Sequence, residues 1–159
     1  MSFMTRRAVL AASLGGVLLP AAETFAQTSA PAPAAPAAKA GPTAAPPGAV
    51  VYIIWPKDGD RVKGAFWCRF GLRNMGVTRS GDAAPNSGHH HLLVDVDETP
   101  KPGQLIPQDK QHLHFGGGQT ETRLTLPPGE HTLQLVLGDA LHKVFNPPLI
   151  SKKIRIVVS

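Results

Sequence analysis

From residue 50 to residue 158 the chain is written in short runs that alternate apolar with polar residues, each stopped by Gly, Pro or Asp. No apolar period of 3.6 residues persists anywhere in it. A period of two puts successive side chains on opposite faces of an extended strand, so this stretch predicts an all-β domain. The first strand spans residues 50–55 and ends at Pro56-Lys57-Asp58-Gly59-Asp60, a turn in which glycine accepts backbone angles that other residues resist. A second, 62–72, places Phe66, Cys68, Phe70 and Leu72 on one face and Trp67, Arg69 and Arg73 on the other. The third, 90–96, turns Leu92, Val94 and Val96 inward. Residues 122–126 and 132–137 flank Pro127-Pro128-Gly129-Glu130 and predict a tight antiparallel hairpin. The last strand, 150–158, alternates Ile154, Ile156 and Val158 with Lys153 and Arg155. Six to seven short strands in about 110 residues predict an immunoglobulin- or fibronectin-like β-sandwich.

The preceding residues cannot build a core. Arg6 and Arg7 lead into an uncharged apolar run over 8–19, and Thr24-Phe25-Ala26 supplies the small residues a signal peptidase reads, so residues 1–26 predict a signal peptide. The run is well short of the ~20 apolar residues that cross a bilayer, so no membrane insertion is expected after cleavage. Thr5-Arg6-Arg7-Ala8-Val9-Leu10 fits a twin-arginine signal as well as an ordinary Sec signal, and both lead to the periplasm. Residues 27–48 are nearly all Ala, Pro, Thr and Ser and predict a disordered, semi-extended tether. The β-domain therefore occupies residues 49–159, long enough to fold without covalent staples. Cys68 is the single cysteine, which excludes an intramolecular disulfide, and its place between Phe66 and Phe70 predicts a buried, inert thiol. The formal charge is +5 with Arg and Lys scattered along the chain, so no nucleic-acid partner is expected. Oligomeric state is not legible.

The one chemical clue is the distribution of histidine. All seven lie between residues 89 and 142. In a fibronectin-like topology, six of them come to one end of the sandwich: His89, His90 and His91 at the start of the third strand, His112 and His114 in the connection before Gly116-Gly117-Gly118, and His142 in the last loop, while His131 lies opposite. Neutral imidazole is a good ligand for copper and zinc, which need three or four nitrogens about 2 Å from one ion. The i, i+2 spacing of His89 with His91, and of His112 with His114, points each pair to one side of an extended chain. These four are the candidate ligands for copper or, next, zinc. His90, His142, Asp139 and Glu121 are further candidates, the carboxylates as ligands or as acceptors that fix an imidazole tautomer.

Other uses fit the same placement. The rings can cap the open end of the sandwich by hydrogen-bonding loop carbonyls, or sense pH, since each supplies one donor and one acceptor. They can also belong to a surface that recognises a protein or cell-envelope component, making the chain a non-catalytic interaction module. No HExxH, paired CxxC, nucleophile elbow or phosphate loop is present, so no catalytic residue is nominated and no enzyme activity is expected. Asp95, Asp97 and Glu98 form an acidic run best explained as the end of a solvated strand.

The segments Ser87-Gly88-His89-His90-His91-Leu92-Leu93-Val94-Asp95, Asp109-Lys110-Gln111-His112-Leu113-His114-Phe115-Gly116-Gly117-Gly118-Gln119-Thr120-Glu121 and Leu126-Pro127-Pro128-Gly129, with Leu137-Gly138-Asp139, resemble the short exported bacterial proteins grouped as DUF4399, a domain of unknown function. The resemblance runs from about residue 51 to 158. It implies a periplasmic location and no particular activity.

Overall fold

The computed structural model describes residues 41–159. The leader and most of the Ala/Pro stretch lie outside the described residues. Nine strands follow in order: β1 Val50–Trp55, β2 Arg61–Val62, β3 Phe66–Arg73, β4 Gly76–Val77, β5 Ser87–Val94, β6 His112–His114, β7 Glu121–Leu124, β8 Gly129–Gly138 and β9 Ile154–Val158. They form two sheets, one ordered β1-β3-β7 and the other β2-β9-β8-β5-β4, with β6 also paired to β5. The domain is an all-β sandwich. Among the described residues no helix is long and apolar enough to cross a membrane.

Alternation explains how the layers close. Phe66, Cys68 and Phe70 of β3 meet Leu92 and Val94 of β5, Leu133, Leu135 and Leu137 of β8, and Ile154, Ile156 and Val158 of β9 in one core. Burying each such side chain is worth roughly 1.5–3 kcal/mol. Cys68 is fully buried there, and desolvation pushes its thiol up to about 12, so it stays protonated and unreactive.

The predicted hairpin across Pro127-Pro128 is not formed. β7 pairs with β3 in the smaller sheet, while β8 lies in the larger sheet between β5 and β9. Two consecutive prolines remove two backbone donors from any ladder, so the chain crosses between layers there, helped by Gly129 at φ 142°. Leu124 still faces Leu133 and Leu135, across the core instead of across a hairpin.

One feature of the larger sheet decides where the site sits: β5 is buried on both faces. Its even-numbered residues, His90, Leu92 and Val94, point into the sandwich. Its odd-numbered residues share the outer face with Val136, where Leu93, Ile106, Val136 and Val144 form a second small core. Two loop segments roof that face. Residues 103–106 bond to 142–144, with Gly103 N donating to Val144 O, Val144 N to Gln104 O and Ile106 N to His142 O. Thr43 and Ala45 then line the far side of the second segment through Asn146.

Candidate metal centre

The period of two in Gly88-His89-His90-His91-Leu92 sends His89 and His91 to the roofed outer face and His90 into the sandwich. β6 pairs with β5 so that His114 stands opposite His91. β8 runs along the other edge with Gly138 opposite His89, and the chain then turns through Asp139 to bring back His142. Rings from three separate segments thus meet.

The ring nitrogens face one another. His89 Nε2 lies 3.0 Å from His91 Nε2, and His142 Nε2 lies 3.2 Å from His114 Nε2. One donor nitrogen from each of His89, His114 and His142 falls within 4.8 Å of the others. The His89 ring centroid is 4.9 Å from those of His91 and His142 and 5.1 Å from that of His114. Ligands held 2.0–2.1 Å from a tetrahedral zinc are separated by ~3.3–3.4 Å; the His114–His142 pair matches that spacing to within a few tenths of an ångström, while the full trio spans up to 4.8 Å. His89, His114 and His142 can hold a metal ion, with His91 packed behind them.

Burial sets the charge state. Desolvation, then the neighbouring charges of His142 and His114, pull the His89 imidazole down to about 4. Desolvation, then His89, His114 and His142, take His91 down to about 2. His114, half-buried, is lowered by desolvation and by His142. The rings are therefore neutral at pH 7, the form that binds metal. The Nδ1 atoms of His89 and His91 are buried without a hydrogen-bond partner. Metal-binding imidazoles ordinarily donate that second N–H to an acceptor, an arrangement worth roughly 10–100-fold in affinity.

Glycine makes the space. A Cβ on Gly116 would stand 2.6 Å from His114 Nε2 and 2.7 Å from Ser80 Oγ. One on Gly138 would stand 2.9 Å from His91 Nε2. Periodicity does not reveal such a role, because it concerns the volume of a neighbour distant in sequence.

The other sequence candidates stand elsewhere. His112 shares a side of β6 with His114, but its Nδ1 and its backbone N–H both donate to Asp109 Oδ1, at 2.8 and 2.9 Å, and it is not among the three rings whose nitrogens converge. His90 stacks against Phe70 at 5.2 Å inside the sandwich, its Nδ1 3.3 Å from Gln119 O. Glu121 is on the smaller sheet, where it accepts from Arg69 Nε at 3.1 Å. Asp139 supports the site without pointing at it. Its Oδ1 accepts from the N–H groups of Leu141 and Lys143, its Oδ2 accepts from Thr43 Oγ1 at 2.6 Å, and its carbonyl accepts from His142 N–H. This holds His142 at φ 61°, a left-handed conformation that costs energy in a non-glycine residue and that local sequence does not announce. His131 lies apart, its Nδ1 2.7 Å from Asp95 Oδ2.

Fold and site together define a small β-sandwich that encloses a four-histidine cluster under the loops of its larger sheet. The chain belongs to the family described as a domain of unknown function, DUF4399, whose model matches residues 68–159, a span that includes every histidine. No curated protein and no solved structure matches the chain.

Proposed function

We propose that this is a periplasmic protein that binds a transition metal, copper first and zinc next, through His89, His114 and His142, with His91 packed against His89, and acts as a carrier or buffer. The observation that carries the reading is the convergence of imidazole Nε2 atoms, paired at 3.0 and 3.2 Å, from strands and a loop far apart in sequence. An all-imidazole donor set suits copper and zinc and offers little to calcium or magnesium. His89 and His91 are fully buried while His114 and His142 are half-buried, so an ion enters past the latter pair. The missing Nδ1 acceptors favour exchange over permanent retention, as a carrier requires. The predicted leader supplies the periplasmic location.

The test is calorimetric titration of the chelator-treated protein with Cu(II) and Zn(II). Binding tighter than about 10 µM is expected, weakened at least ~100-fold by H114A/H142A and little changed by H112A. No binding at that level, or equal binding by the double variant, refutes the reading.

A further inference from the structure

The smaller sheet and strand β2 together border a feature unconnected with the histidines. Trp55 and Trp67 are the two tryptophans of the chain, and both border one open cleft of about 530 Å³. That volume lies within the ~300–1,000 Å³ typical of ligand clefts. Trp67 is 45% exposed and Trp55 37%, unusual for the residue type with the most apolar area to hide. Trp55 is held edge-on against Phe66, with ring centroids 6.0 Å apart.

The rest of the lining is cationic. Arg61, Lys63 and Arg69 border the cleft, and no carboxylate does. Glu121 reaches only Arg69, through Nε at 3.1 Å. Arg61 and Lys63 come from β2 and the turn after it and Arg69 from β3, so the chain passing from β2 into β3 supplies all three charges. Two exposed indoles offer flat apolar faces on which the C–H face of a pyranose ring stacks, while Arg and Lys bind carboxylate through charge-assisted hydrogen bonds.

We infer that the Trp55–Trp67 cleft binds a carboxylated glycan, one or two acidic sugar units at a time. Three cations in a short cleft match a few negative charges. They fall short of the ~6–10 phosphate contacts by which nucleic-acid binders track a backbone. The cleft is lined by none of the histidines and does not depend on the metal reading.

Because both tryptophans line the cleft, intrinsic fluorescence reports on it directly. The purified, chelator-treated chain is titrated with oligogalacturonate, and in parallel with neutral dextran oligosaccharide, oligo(dT) and phosphatidylglycerol vesicles. A shift in emission with Kd below ~1 mM is expected for oligogalacturonate and not for dextran. It should weaken at least ~10-fold in W67A and in R61E/K63E, and persist unchanged in H114A/H142A. Trp67 and both cations point outward, so the variants retain the core, and circular dichroism verifies that they do. No response at about 5 mM sugar, equal binding of dextran, unchanged affinity in both cleft variants, or binding of oligo(dT) or vesicles without oligogalacturonate overturns the inference.

Discussion

Three buried neutral histidines make the fold sensitive to acid, and the size of the effect follows from the structure. His89 and His90 are held down to about 4 and His91 to about 2, in each case chiefly by desolvation. In the unfolded chain all three titrate near ~6.5. As pH falls below that value the unfolded state takes up protons that the folded state refuses, so stability is complete above about 6.5 and drains away toward about 4 for His89 and His90 and toward about 2 for His91. At pH 5.0 each ring contributes a loss of roughly 2 kcal/mol, and the three together cost about 6 kcal/mol. A domain of this size has only ~5–15 kcal/mol to lose. Urea unfolding of the chelator-treated protein, followed by circular dichroism at pH 7.5 and 5.0, should show the midpoint falling by roughly 2–6 M. His90→Leu removes one titrating ring outside the metal cluster. Whatever its effect on stability at pH 7.5, it should reduce the difference between the two pH values by about 2 kcal/mol. A midpoint shift under about 0.5 M, or an undiminished difference in the variant, would refute the assignment of these rings as buried and neutral.

Gly116→Ala drives a methyl group into the His114 ring and should weaken Cu(II) or Zn(II) binding by about 100-fold in calorimetry, with a folding cost of ~1–3 kcal/mol read from urea midpoints. Asp139→Ala frees two backbone N–H groups and the Thr43 hydroxyl beside His142, and should lower metal affinity more than Thr43→Val does. Cys68 should resist a thiol-specific chromogenic reagent in the native protein and react fully in urea, since its burial holds the proton on sulfur. For His131, burial pulls the imidazole down but the bonds to Asp95 and Pro127 outweigh it and leave it raised. Its contribution is therefore complete below about 6.5 and is lost as pH rises through the folded value, so Asp95→Asn should cost more stability at pH 6 than at pH 8.5.

The alternation of apolar and polar residues by itself determined the β class, the first strand at Val50–Trp55, the inward face of β3 and the burial of Cys68, because a two-residue period leaves no other way to hide Phe66, Cys68 and Phe70 together. The crowding of histidine into residues 89–142 likewise marked where chemistry belongs. Tertiary structure decided which rings meet. Whether residues 122–137 form a hairpin or cross between sheets depends on which partner strand competes for β7, and β3 wins where Pro127-Pro128 cannot donate. His112 and His114 are equivalent by spacing, yet Asp109 captures one while the partner strand presents the other to His91. His142 joins only because Asp139 and Thr43, 96 residues apart, hold its loop in a left-handed turn. Period and composition are local properties of the chain. A shared coordination point is a property of segments brought together from far apart, and only the packed fold specifies it.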